Sequence, residues 1–207
     1  MEKYKRKIDE ISSYYKKFDK EFEDYKRLGW ESKDAHMRRF GIFADNVDLH
    51  GKKLLDVGCG LGNLYGYLKQ KGVEVDYTGV DILEKMIEDS ISKYPEAKFL
   101  CMDIFKENTF SEGEFDVIYA SGIFNLNLGN NLDFLNSALE LFFILSKDVV
   151  CFNLLHVKSP NREERYFYMS PDKAEEIARN KARYPIDIRI LENYLDNDFT
   201  VICERKK

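Results

Sequence analysis

Hydrophobic positions in this chain switch repeatedly between two periods. From Lys53 onward the short β-rich runs KLLDV, VDYTGV, AKFLCM, FDVIYA and DVVCFNLL alternate with stretches whose apolar residues recur every three to four positions, at 63–71, 84–93 and 131–145. Side chains change sides at every residue of a strand and repeat every 3.6 residues on a helix, so the alternation predicts βαβ crossovers. Such units build a mainly parallel sheet with helices on both faces. In NLDFLNSALELFFIL, Leu132, Leu135, Leu139 and Phe142 share one side and predict a helix that covers the sheet. IDIRIL and FTVICER follow one another with no helical run between them, which predicts an antiparallel pair at the end of the sheet.

Outside this alternating body the pattern is helical. Ile8, Ile11, Tyr15, Phe18 and Phe22 recur at helical spacing within residues 3–28, and after Leu28-Gly29 the run SKDAHMRRFGIFADNVDL predicts a second helix with Ser32 as its N-cap. Beyond residue 155 a polar segment, HVKSPNREERYFYM, leads to a helix announced by Ser170 at the N-cap and Pro171 at its first position. The division expected is an N-terminal helical extension or lid over 1–50 and one main domain over 51–207, with no internal repeat.

Composition narrows the class. The 207 residues are 44% hydrophobic and 33% charged, which is that of a soluble globular protein. A formal charge of -5 disfavours nucleic acid as a partner, although the opening KYKRK is locally basic. No apolar run is long enough to span a bilayer and the N-terminus lacks an apolar signal region, so the expected compartment is the cytoplasm. Cys59, Cys101, Cys151 and Cys203 stand far apart without a C-x-x-C pair and are expected as buried reduced thiols. His36, His50 and His156 are equally scattered, so no metal site is expected.

The chemistry concentrates where KLLDV runs into Gly58-Cys59-Gly60-Leu61-Gly62. Glycine weakens regular structure by roughly 0.5–1 kcal/mol against alanine, so three at alternate positions mark either a sharp turn or backbone lying against a ligand. The following helix presents a positive dipole end, which favours a carboxylate or phosphate. A dinucleotide fingerprint requires G-x-G-x-x-G, whereas this chain has G-x-G-x-G with Asp56 two positions ahead. That carboxylate repels a pyrophosphate and suits an ammonium, and S-adenosylmethionine carries both an ammonium and a carboxylate on its methionyl end. Asp81 stands at the end of the second strand, where a carboxylate accepts from both hydroxyls of a ribose. Asp103, between Met102 and Ile104 at the end of the third, offers an acceptor for an exocyclic amine between apolar walls, which suits adenine.

LLDVGCGLG, YTGVDI, CMDI and FDVIYASGIFN, in this order, resemble the motifs of class I S-adenosylmethionine-dependent methyltransferases, over about residues 30 to 207. The resemblance implies a Rossmann-like, doubly wound α/β fold: a seven-stranded sheet, mainly parallel, whose last strand is antiparallel, with the N-terminal helices added to it. It implies Asp56, Gly58, Cys59, Gly60 and Gly62 around the methionyl part, Asp81 with Ile82 at the ribose, and Met102, Asp103 and Ile104 at adenine. Ala120 and Ser121 are implied as lining the cofactor after the fourth strand, and Arg39, with Arg38 as its neighbour, as the partner of the cofactor carboxylate. Trp30 is expected to help close the same edge.

The acceptor is less determined. A sulfonium is already an activated leaving group, so the protein must chiefly hold an acceptor in line and exclude water. Phe124 and Asn125 after strand four and Asn153 and His156 at the end of strand five are the expected substrate-side residues, with Asn125 and His156 as the catalytic candidates; Tyr166, Phe167 and Tyr168 are expected to line a lid over the pocket or to pack it onto the domain. A small-molecule acceptor is the leading expectation, with a protein or RNA acceptor and a silent S-adenosylmethionine-binding module as alternatives. The oligomeric state is left open.

Overall fold

The computed structural model describes residues 10, 11, 13–15 and 22–206. Ile8 and Phe18 of the expected first helix lie outside these residues. Within them, Glu10, Ile11 and Ser13 to Tyr15 are helical, followed by a short helix α1 (Asp24–Arg27) and by α2 (Lys33–Asn46). Ser32 caps α2 as its residue type predicts, its hydroxyl accepting from the Ala35 N–H at 3.1 Å.

The alternating body follows as β1 (Lys53–Val57), α3 (Asn63–Gln70), β2 (Asp76–Asp81), α4 (Glu84–Lys93), β3 (Lys98–Cys101), β4 (Phe115–Ala120), α5 (Asn131–Leu145) and β5 (Ser146–His156). The chain then adds a two-residue strand β6 (Tyr168–Met169), α6 (Pro171–Lys181), β7 (Ile186–Leu191) and β8 (Asp198–Arg205). The sheet runs β3-β2-β1-β4-β5-β8-β7, with β6 attached to β5 off this path. Seven strands therefore form the continuous sheet, and β6 is an eighth that the sequence pattern does not announce. The last strand is the reversed one: β8 pairs antiparallel with β5 on one side and with β7 on the other, so it lies inside the sheet.

Alternation along the strands sorts the core into two layers. Leu55, Val57, Ile118, Val150 and Phe152 point to one face, under Leu135, Leu139 and Phe142 of α5 and Ile177 of α6. Leu54, Tyr77, Val117, Tyr119 and Cys151 point to the other, under Phe40 and Phe43 of α2 and Leu64 and Leu68 of α3. Each large apolar side chain buried in this way contributes roughly 1.5–3 kcal/mol. Leu132 departs from the stripe expected for α5 and is 48% exposed, because it falls in the first turn at the carboxyl edge of the sheet. Cys101, expected buried, is exposed at the end of the short edge strand β3; the other three cysteines are buried, and all four are free thiols.

This topology decides where a ligand can sit. From β1 the chain winds outward through β2 to β3, then returns to the opposite side of β1 as β4. Loops leaving the carboxyl ends of β1 and β4 turn opposite ways and leave a crevice between them, as at the switch point of any doubly wound sheet.

Candidate active site

A cavity of about 380 Å³ occupies this crevice. Its floor begins at the glycine turn. Gly58 and Gly60 have φ of +76° and +54°, a left-handed conformation that L side chains rarely adopt. Space forbids a side chain as well: a Cβ on Gly58 meets Ile123 Cγ2 at 2.2 Å, and one on Gly60 meets Leu28 Cδ2 at 2.6 Å. The turn is fastened to the neighbouring strand, with the N–H groups of Gly58 and Cys59 donating to the Val80 carbonyl at 2.8 and 3.1 Å. The sharp turn is thus realised, and its glycines are packed against Ile123 and Leu28.

Three carboxylates arrive from three strand ends. Asp56 is 4% exposed and accepts a hydrogen bond from the Tyr77 hydroxyl at 2.6 Å. Burial pushes its pKa up to about 7, the Tyr77 hydrogen bond opposing the rise and the nearby Asp81 charge adding to it. Asp81 accepts the Gly60 N–H on one oxygen and the Leu83 N–H on the other, each at 2.9 Å. An ionised carboxylate has about four lone-pair sites, so both oxygens retain capacity for a ligand's hydroxyls. Asp103 accepts the Phe105 N–H on Oδ1 at 3.2 Å, while its Oδ2 is buried without a partner. Burial raises the pKa of Asp81 and of Asp103 above the ordinary carboxylate range.

The cavity thus brings together Asp56, Gly58, Cys59, Gly60, Asp81, Ile82, Met102, Asp103, Ile104 and Ser121 from the expected set. Three expected residues stand elsewhere. Gly62 backs onto the Phe99 ring, where a Cβ would approach to 2.7 Å, and Ala120 is enclosed in the core under α5. Arg39 is turned away: its guanidinium is buried against Asp198, with a further bond to the Ala35 carbonyl at 3.0 Å, so it does not line the cavity. Arg38 donates to the Tyr194 carbonyl at 3.1 Å on the same far side.

The roof was only partly foreseen. Ile11, Tyr15 and Leu28 of the N-terminal segment, and Trp30, His36 and Phe40 of the α2 region, close over the glycine turn, while Phe105 and Phe134 complete the wall beside Asp103. His36 is 3% exposed, stacks on Trp30 with ring centroids 5.3 Å apart, and has its Nδ1 buried without a partner. Burial, then the Arg39 and Lys93 charges, lower its pKa to about 3 and keep the imidazole neutral. Ile11 and Tyr15 belong to the helical pattern of the N-terminal segment and Trp30 lines the cavity as expected, whereas no spacing rule marks Leu28, His36, Phe40, Phe105 or Phe134 as cavity residues.

The expected substrate-side and lid residues divide among four places. Asn125, Tyr166 and Tyr168 line a second hollow of about 920 Å³, on the other side of Trp30 from the first, and Asn125 Oδ1 is buried there without a partner. Phe124 is 1% exposed and Phe167 packs against the same core, so both are structural. His156 belongs to neither hollow: its Nε2 lies 2.9 Å from Glu192 Oε1 and its Nδ1 accepts the Lys158 N–H at 2.9 Å. Asn153 is buried behind the wall, its amide joining the Gly122 N–H to Asp198.

Among the described residues no group of three or more His, Cys, Asp or Glu is arranged to hold a metal ion, and no helix is long and apolar enough to cross a membrane.

Comparison with known proteins agrees with this geometry. Residues 54–142, from β1 into α5, match the family model described as a methyltransferase domain. A Mycobacterium tuberculosis protein that carries a methyltransferase designation is 28% identical over 164 residues, covering 72% of this chain and 91% of the relative. Phosphoethanolamine N-methyltransferase 3 of Arabidopsis thaliana is 36% identical over 83 residues, 38% of this chain but only 16% of that enzyme. Among solved structures, magnesium protoporphyrin IX methyltransferase from Synechocystis PCC 6803 with bound S-adenosylhomocysteine superposes with a TM-score of 0.67 over 96% of this chain and 94% of its own. At 14% identity that likeness speaks for the fold alone. The chain is thus similar to a methyltransferase domain over residues 54–142 and shares its fold with solved methyltransferase structures.

Proposed function

We propose that this protein transfers a methyl group from S-adenosylmethionine to a small-molecule acceptor in the cytoplasm. The observation that carries the cofactor half is the set of three carboxylates, Asp56, Asp81 and Asp103, distributed along one cavity with a buried, unpartnered acceptor at Asp103. A volume of 380 Å³ falls at the low end of ligand pockets, roughly 300–1,000 Å³, and suits one nucleoside-sized molecule. Asp103 fits the exocyclic amine of adenine between Met102, Ile104 and Phe105, and Asp81 fits the ribose hydroxyls. Asp56, once ionised, fits the methionyl ammonium beside Gly58, Cys59 and Gly60, and Ser121 lines the same end.

When bound, the cofactor supplies a methyl group on a positively charged sulfur. The chain's own contribution is to hold this donor, to exclude water with Tyr15, Leu28 and Trp30, and to leave one end open to an acceptor. The second hollow, with Asn125, Tyr166 and Tyr168 on its wall, supports acceptor entry from that side. It is bounded by the N-terminal segment and the β5–β6 and β7–β8 connections, which favours a molecule that fits inside over an extended polymer. In this reading residues 1–50 form the lid and residues 51–207 the transferase domain.

The test is transfer of a labelled methyl group into a cell extract, followed by separation by size. Label in the small-molecule fraction is the expected result. Label in protein or RNA overturns the choice of acceptor, and label in neither fraction overturns catalysis itself.

A further inference from the structure

Trp30 lines both hollows, and of the residues that hold it His36 and Gly122 line the first while Arg39 lines the second. The α2 helix presents His36 and Phe40, one turn apart, to the first hollow and Ala35 and Arg39 to the second. Arg39 places its guanidinium carbon 4.2 Å from the centre of the Trp30 ring, while His36 stacks on the same indole. The edge of the indole rests on Gly122, where an added Cβ would lie 3.0 Å from Cζ2 and Cη2. The side wall shared by the two hollows is thus an indole seated on the loop that follows β4.

Both supports of this wall converge on one carboxylate. Asp198, at the start of β8, has no exposed side-chain surface and pairs with Arg39 Nε. It also accepts from Asn153 Nδ2 at 3.1 and 3.0 Å on its two oxygens and from the Tyr194 hydroxyl at 3.2 Å. Asn153 in turn accepts the Gly122 N–H at 2.9 Å, which fixes the seat of the indole. A buried ion pair gains little net stability over apolar residues of similar size, so stability alone does not account for this one. A guanidinium held over an aromatic ring by a fixed carboxylate is a geometric device.

We propose that Asp198 is a positioning residue which, through Arg39 and Asn153, holds Trp30 on Gly122 as a side wall shared by the donor cavity and the second hollow, past which the acceptor reaches the methyl carbon. The affinity arm below rests on the cofactor reading given above; the fluorescence arm does not.

Trp30 is the chain's only tryptophan, so its emission reports the wall directly. The measurements are acrylamide quenching of Trp30 and calorimetric affinity for S-adenosylhomocysteine, in Asp198→Asn, in Arg39→Lys and in the double variant Arg39→Met with Asp198→Asn. The double variant removes both charges and leaves no orphaned ion, so it folds where the single Asp198 variant fails. Arg39→Lys keeps the charge and loses the planar guanidinium. The expected result, in variants with wild-type circular dichroism, is stronger quenching with a red-shifted emission and about tenfold weaker binding of the homocysteine product. A role confined to stability lowers the melting temperature and leaves quenching unchanged. Unchanged quenching in any variant that keeps the wild-type fold overturns the proposal. If the wild-type chain fails to bind S-adenosylhomocysteine, the cofactor reading falls while quenching still decides the wall.

Discussion

The two hollows on either side of Trp30 are built by different means. The donor cavity is assembled from short segments that each carry their own instruction: a glycine turn directly after β1, and single aspartates at the ends of β1, β2 and β3. The second hollow is assembled from residues far apart in the chain, among them Tyr14, whose hydroxyl lies 3.1 Å from that of Tyr166, 152 positions later. The first depends on backbone conformation at fixed places in a topology. The second depends on which distant side chains the fold brings together.

The sharpest way to break the first half of this contrast is Gly60→Val. A β-branched residue at φ +54° is strained by about 1–3 kcal/mol, and its side chain enters the space of Leu28 and the ligand. Binding of S-adenosylhomocysteine is expected to weaken more than about a hundredfold, close to 3 kcal/mol, while circular dichroism keeps the sheet signature. Normal affinity in this variant contradicts the account of the turn.

Asp81→Ala comes next. It removes the acceptor of two backbone N–H groups and the proposed ribose partner, and calorimetry is expected to show a loss of at least about 1–3 kcal/mol in binding.

Asp56 connects the donor cavity to pH. Its pKa of about 7 means that the free protein holds a proton there at lower pH, and this proton must leave before the carboxylate can meet an ammonium. Affinity is expected to fall by up to about tenfold per pH unit below 7, and Asp56→Asn is expected to bind weakly with no such slope. Stability runs the same proton in the other direction. Between about pH 4 and 7 the folded state keeps a proton that the unfolded chain releases, so this group's contribution falls as pH rises through that window. Melting curves at pH 5 and pH 8 are expected to show a smaller drop for Asp56→Asn than for the wild type.

Asp103→Ala is expected to cost about 1 kcal/mol of cofactor affinity, the usual net worth of one hydrogen bond. His156→Ala closes the series. Its imidazole is engaged by Glu192 and Lys158 away from both hollows, so methyl transfer is expected to persist at the wild-type rate in a steady-state assay. A collapse of transfer with the fold intact would return His156 to the site.

Legibility in the sequence followed the same division. The strands KLLDV, FDVIYA and IDIRIL and the helices over 84–93 and 131–145 have the bounds their periodicity predicts, because local pattern and tertiary burial agree there. The strand β6 escaped notice because two residues carry no period. Asp56, Asp81 and Asp103 were legible as strand-end carboxylates, since topology alone puts strand ends at the crevice. Arg39 was legible as a charge on the right helix but not in its direction, because its partner Asp198 lies 159 residues away and nothing near Arg39 announces it. His36, Tyr15 and Phe134 reach the cavity through packing between elements, which no spacing within one element records.

The central claim is that the crevice between β1 and β4 is shaped for an adenosyl amino acid. Titration of S-adenosylhomocysteine into the wild-type chain in a calorimeter tests it most directly. Saturable binding of one molecule per chain is predicted; the absence of binding heat at several temperatures, together with an unmoved melting temperature, would contradict it.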